Sequence, residues 1–122
     1  MHIKFKSIAE RRKCHRNIQE AAREIEGSTE LLEALFELEN GKDDSKMSGF
    51  GWMKLNDPTA THVNFNGFEH AEFLQLLETL EAGTAADLGD PEDEQLTTLA
   101  NNLSETAAII RKRIPEDTET GQ

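Results

Sequence analysis

The stretch from Asp90 to Pro115 carries its own start and stop signals, and a helix of that length needs other elements to cover its apolar side. Asp90 can cap, Pro91 suits the first helical position, and Glu92 and Asp93 favour the positive end of the helix dipole. At the far end Arg111, Lys112 and Arg113 sit where the dipole is negative, and Pro115 forbids continuation. Between these signals Leu96, Leu99, Leu103, Thr106 and Ile110 recur by three and four. That seam fits a helical hairpin or a short two-stranded coiled coil, and at about three heptads it is too short to hold a dimer alone.

Three further segments repeat their apolar residues at helical spacing. After Ser7 these are Ile8, Ile18, Ala21, Ala22 and Ile25, thin in large side chains, with Gly27 offered as a C-terminal cap. Ser28 opens a second helix with a broad stripe, Leu31, Leu32, Leu35, Phe36 and Leu38, closed by Asn40-Gly41. Asn66, with Glu69 three residues on, resembles a capping box that launches Phe68, Phe73, Leu74, Leu76, Leu77 and Leu80 and runs to Ala82-Gly83.

Alternation replaces this period in three short places. Ile3 and Phe5 share one face of a strand over residues 2–6. Phe50–Leu55 and Thr61–Asn66 read as two strands joined around Asp57-Pro58-Thr59-Ala60, because Pro58 presets the turn dihedral and Asp57 can bond back to the backbone. The predicted fold class is therefore α+β: three to four helices packed on a small antiparallel sheet, the β-hairpin 50–66, with the N-terminal strand 2–6 as a candidate third member. Residues 1–115 make one domain, Lys42–Ser48 a polar connection, and 116–122 a disordered acidic tail.

Of the 122 residues 36% are hydrophobic and 6% aromatic, low for a globular chain, so a second subunit is expected to cover part of the apolar surface. A homodimer follows as the expected state, self-associating through Leu96, Leu99, Leu103 and Ile110 or through the face around Trp52. A single Cys14 permits no internal disulfide and fits a reducing cytosol. Neither a signal-peptide core nor an apolar stretch of ~18 residues occurs, so a soluble cytoplasmic protein is expected.

The charges are sorted. Lys4, Lys6, Arg11, Arg12, Lys13, Arg16 and Arg23 lie in the first 23 positions, whereas residues 24–110 hold nineteen acids against three lysines, 3 − 19 = −16. With a net charge of −11 the chain repels nucleic acid at long range and attracts basic protein surfaces. Glu30, Glu33 and Glu37 form an acidic row, which Glu26 extends if one helix runs through Gly27. Such a row can imitate the spaced charges of a nucleic-acid backbone, or it can be a solvated face that aids solubility.

Other constellations are weaker. The run Arg11, Arg12, Lys13, Arg16 could grip phosphates, but no aromatic residue interleaves to stack bases, and neutralising the acidic body is the commoner role. His62 and His70, with Glu69, match no standard metal spacing, so neither metal nor cofactor is expected. Gly49-Phe50-Gly51-Trp52 lacks the third glycine and following helix of a dinucleotide fingerprint, and paired glycines at a strand entrance more often allow close strand contact. Trp52 shares a strand face with Phe50 and either anchors a partner or completes a two-sided core. Ser28, Ser45, Ser48 and Ser104 sit in no nucleophile-elbow pattern, which argues against an enzyme.

The leading expectation is a small acidic protein that binds and blocks a basic, nucleic-acid-handling surface of a larger macromolecule. Glu30, Glu33, Glu37, Asp43 and Asp44 would steer it, and Phe50 and Trp52 would anchor it. In composition, though not in motif, the chain is similar to small acidic inhibitors of phages and mobile elements, such as anti-CRISPR or anti-restriction proteins. Two alternatives stand beside it: a dimeric nucleic-acid-binding regulator using Arg11, Arg12, Lys13 and Arg16, and a nucleotide-binding protein with Trp52, His62 and Phe65 around a pocket.

Overall fold

The computed structural model describes residues 2–25, 29–42, 48–51, 61–65, 67–82 and 92–114. Along the chain come β1 (His2–Lys4), α1 (Ile8–Glu24), α2 (Thr29–Asn40), β2 (His62–Asn64), α3 (His70–Ala82) and α4 (Glu94–Arg113). The helices form a ring in which α1 packs on α2, α2 on α3, α3 on α4 and α4 back on α1. The fold is thus α+β, four helices with a small antiparallel sheet.

Local chemistry accounts for most element ends. Ser7, in extended conformation, accepts a hydrogen bond from the Glu10 N–H at 3.1 Å and starts α1. That helix stops at Glu24, where Ile25 turns extended, so the acidic row of α2 is not continuous with α1. Helix α2 ends at Asn40, and Gly41 takes φ +81° to turn the chain away.

The start of α3 departs from the expected capping box. Its reciprocal bond runs from the Glu69 N–H to the Glu72 carboxylate at 3.1 Å, three residues later than predicted, and Phe68 packs ahead of the helix. Asp93, not Asp90, caps α4, its carboxylate accepting from the N–H groups of Gln95 and Leu96. A carboxylate at that position satisfies two otherwise unpaired donors and faces the helix dipole. The predicted cap residues Asp90 and Pro91 lie outside the described residues, as do 52–60 and 116–122.

Among the described residues the sheet departs from the predicted hairpin, of whose first strand residues 52–55 lie outside them. Strand β2 pairs antiparallel with β1, Ile3 opposite Val63, and Phe5 N–H extends the pairing to Thr61 O at 2.9 Å. Phe50 and Gly51, expected to open the partner strand, are helical. A strand with one apolar face accepts any partner that buries that face, and β1 with the residue after it offers Ile3 and Phe5, both buried. Ser48 and Gly49 instead fasten their segment to β2, the Ser48 hydroxyl and the Gly49 N–H both donating to Asn64 O.

The core joins all these elements. Five of the six phenylalanines form one cluster: Phe5 to Phe50 at 5.7 Å, Phe50 to Phe65 at 5.8 Å, Phe65 to Phe73 at 4.9 Å and Phe68 to Phe73 at 5.4 Å between ring centroids. Leu99, Leu103 and Ile110 of α4 are buried in the same core and Leu96 packs against it. The seam assigned to self-association is therefore filled within one chain. Inside the α1–α4 contact the Asn17 amide donates to the Thr106 hydroxyl at 3.0 Å, a buried pair that leaves neither group unsatisfied.

Charge pairs tie the surface. Arg113 donates two bonds of 2.8 Å to Glu10, joining the end of α4 to the first turn of α1. That fork, aided by the Lys6 N–H, holds the Glu10 carboxyl down at about 2, against 4.5 ordinarily. A carboxylate depressed in the fold adds stability above its unfolded pKa, lost as pH falls through the folded one. Acid titration should therefore weaken the wild type between about pH 5 and pH 2, with Glu10→Gln removing about 1–2 kcal/mol at neutral pH after allowance for solvent screening. The check is urea unfolding at pH 7 and pH 3. A variant whose deficit is the same at both would show that the pair contributes nothing.

A candidate interaction surface on the first two helices

Helix α2 buries one face and keeps two others at the surface. Leu31, Ala34, Leu35 and Leu38 point into the core. Leu32 and Phe36, one position on from Leu31 and Leu35, lie about 100° around the helix, and Phe36 is 60% exposed. It is the sixth phenylalanine and the exposed large hydrophobic among the described residues. Together with Ile18 and Ala22 of α1, these side chains line an open groove of about 910 Å³ between the helices.

The rims of the groove carry opposite charge. On the α1 side Arg12, Arg16 and Arg23 are exposed at spacings of four and seven, one stripe of the helix, with Arg23 lining the groove. On the α2 side stand Glu33 and Glu37, which also line a second, smaller groove of about 310 Å³ shared with Glu30, Lys42, Phe68 and Glu72 of the α2–α3 junction. The acidic row predicted from spacing thus forms a crest between two grooves.

These six charges stand apart from the rest. Lys13 pairs with Glu105, His15 with Glu39 at 2.5 Å, Lys42 with Glu72, Arg111 with Glu81 and Arg113 with Glu10. The hydrogen bond that Lys42 donates lowers the Glu72 pKa, and the bonds that Arg111 donates to Glu81 raise the Arg111 pKa. Among the described residues no ion pair engages Arg12, Arg16, Arg23, Glu30, Glu33 or Glu37.

Several predicted site residues take other roles. Phe50 is 1% exposed, stacked on the His15 ring at 5.4 Å, and cannot anchor a partner. Phe65 is wholly buried, so the proposed nucleotide pocket loses that wall, while His62 is exposed on β2. In the basic run Arg11 is buried and Lys13 is held by Glu105, leaving Arg12 and Arg16 of the four exposed and outside any ion pair among the described residues. Trp52, Asp43 and Asp44 lie outside the described residues.

Cys14 is wholly buried, and desolvation, with Glu10 nearby, pushes its thiol up to about 12, which keeps it protonated. Among the described residues no group of three or more His, Cys, Asp or Glu could hold a metal ion, and no helix is long and apolar enough to cross a membrane.

Spacing found the glutamates but missed Phe36, Leu32 and the arginine stripe. The signal was present in α2: Leu31, Leu35 and Leu38 already fill one face, so Leu32 and Phe36 broaden the stripe beyond what one core contact covers. Comparison with protein-family models, with curated proteins and with solved structures finds no match for this chain.

Proposed function

We propose that this protein is an interaction module that captures a basic surface of a larger, nucleic-acid-handling macromolecule through the crest of α2. The observation that carries this reading is the row Glu30, Glu33 and Glu37, surface-facing and without a cation among the described residues, on a chain of net charge −11. Carboxylates held by an intramolecular cation have little to offer a partner; these three keep their full field for one. Long-range attraction sets the association rate, and the apolar groove beside the row supplies contact area once the surfaces meet.

The test compares tagged wild type with Glu30→Gln/Glu33→Gln/Glu37→Gln on nuclease-treated lysate of the native host, at low and high salt. Wild type should retain a basic protein at low salt and release it at high salt, and the variant should retain about tenfold less. Equal retention by both proteins, or retention indifferent to salt, overturns the assignment. Loss of all captured material on nuclease treatment would move the function to the arginines of α1.

A further inference from the structure

We infer that the groove between α1 and α2 is a homodimer interface, occupied by the same groove of a second copy. Charge is distributed about this groove in two complementary rows. An arginine stripe borders one side and a glutamate row the other, neither is held by an ion pair among the described residues, and Phe36 and Leu32 lie between them. A two-fold axis laid along the groove places α1 of one copy over α2 of its partner. Each arginine stripe then faces a glutamate row, and the two Phe36 side chains are covered from the same event. An isologous contact has this property: if residue i meets j, then j meets i.

The spacing along the helices agrees. Arg16 and Arg23 are seven residues apart, as are Glu30 and Glu37, which at 1.5 Å per residue is about 10.5 Å in each row. Because α1 and α2 are joined across residues 25–28, Arg23 and Glu30 lie toward the connected ends of their helices, and Arg16 and Glu37 lie further along. A symmetric copy therefore meets each row at matching height. With this contact the shortage of burial in the chain is met by α1 and α2, and not by the seam of α4.

The dimer covers Glu33 and Glu37, so it competes with capture of a basic partner; this consequence alone rests on the proposed function. Self-association is measured on the purified chain with no partner present, so failure of one reading leaves the other standing.

Sedimentation equilibrium of the full chain at about 100 μM should give a mass near twice 13.7 kDa, with Phe36→Ala weakening association about tenfold or more. Two charge-reversal variants decide the geometry: Arg16→Glu/Arg23→Glu and Glu30→Lys/Glu37→Lys. Each should be monomeric alone, since like charges then face each other across the axis, and an equimolar mixture should recover the dimer, because both contacts become opposite in sign. The lysine variant has a net charge of −11 + 4 = −7, so body-to-body repulsion alone would make it associate more strongly than wild type; the interface requires the reverse. Circular dichroism confirms that each variant is folded. A wild type that is monomeric at this concentration, or a mixture that stays monomeric, overturns the inference.

Discussion

Phe65→Ala will destabilise the fold by about 3–5 kcal/mol, the largest effect of a single truncation anticipated in this chain. The ring is wholly buried and, among the described residues, faces Phe73 at 4.9 Å, Phe50 at 5.8 Å and Phe68 at 6.2 Å. Those partners come from α3, from the segment that follows Gly49, and from the turn before α3, so no one element can move inward to fill the space. Each tilted or edge-on aromatic pair adds about 0.5–1.5 kcal/mol beyond the area it buries. A domain with an ordinary stability of about 5–15 kcal/mol would keep little margin after that loss. Urea denaturation of wild type and variant, each dilute enough to be monomeric, measures it, with Phe36→Ala as the control: that ring is 60% exposed in the single chain and its removal should change monomer stability by about 0.5 kcal/mol or less. A Phe65→Ala protein within about 1 kcal/mol of wild type would show that the cluster is not the centre of the core.

The second large effect is expected at Gly49, where two separate penalties coincide. Its φ of +86° lies in the region that L side chains rarely adopt, at a cost of about 1–2 kcal/mol for alanine. A Cβ there would also lie 2.5 Å from the carbonyl oxygen of Glu39 and 2.7 Å from its carbon, atoms of the α2 backbone that cannot swing aside as a side chain would. Relieving the clash means moving Gly49 relative to α2, which disturbs its 2.7 Å bond to Asn64 O on β2. Gly49→Ala should therefore cost about 3 kcal/mol, and the lost protection should be visible at the Gly49 amide in hydrogen exchange. A variant as stable as wild type would mean that this segment does not bear on α2. The glycine thus serves close packing between α2 and β2, which agrees with the sequence reading of paired glycines as permitting close backbone approach.

Phe65 and Gly49 are residues that the sequence places near a functional patch and that the fold uses for structure. Phe50 and Gly49 sit beside Trp52 in a glycine-flanked aromatic run, a composition that binding surfaces and tight cores share. Burial separates the two cases, and burial depends on which distant segments arrive. Here β1, α1 and α2 all close over Phe50: Phe5 lies at 5.7 Å, His15 stacks on it, and the neighbouring Gly51 sits against Glu39.

What the sequence determined by itself is the set of elements. Periods of two and 3.6 residues, Ser7 as a cap, Gly41 past the end of α2 and the basic run that closes α4 are local signals, and each acts within a few residues of the backbone it shapes. The same locality displayed Glu30, Glu33 and Glu37 as one row, because helical spacing alone brings them together. Pairing and burial were decided only by tertiary structure. Strand β2 took β1 as its partner while the nearer Phe50 and Gly51 became helical, and the leucines of α4 are buried against α1 and α3 within one chain. Phe36, drawn from the same stripe as Leu35, was left outside. Hydrophobic burial has no direction along the chain: it rewards any covered apolar face, so the choice among equivalent faces belongs to the geometry of the assembled helices.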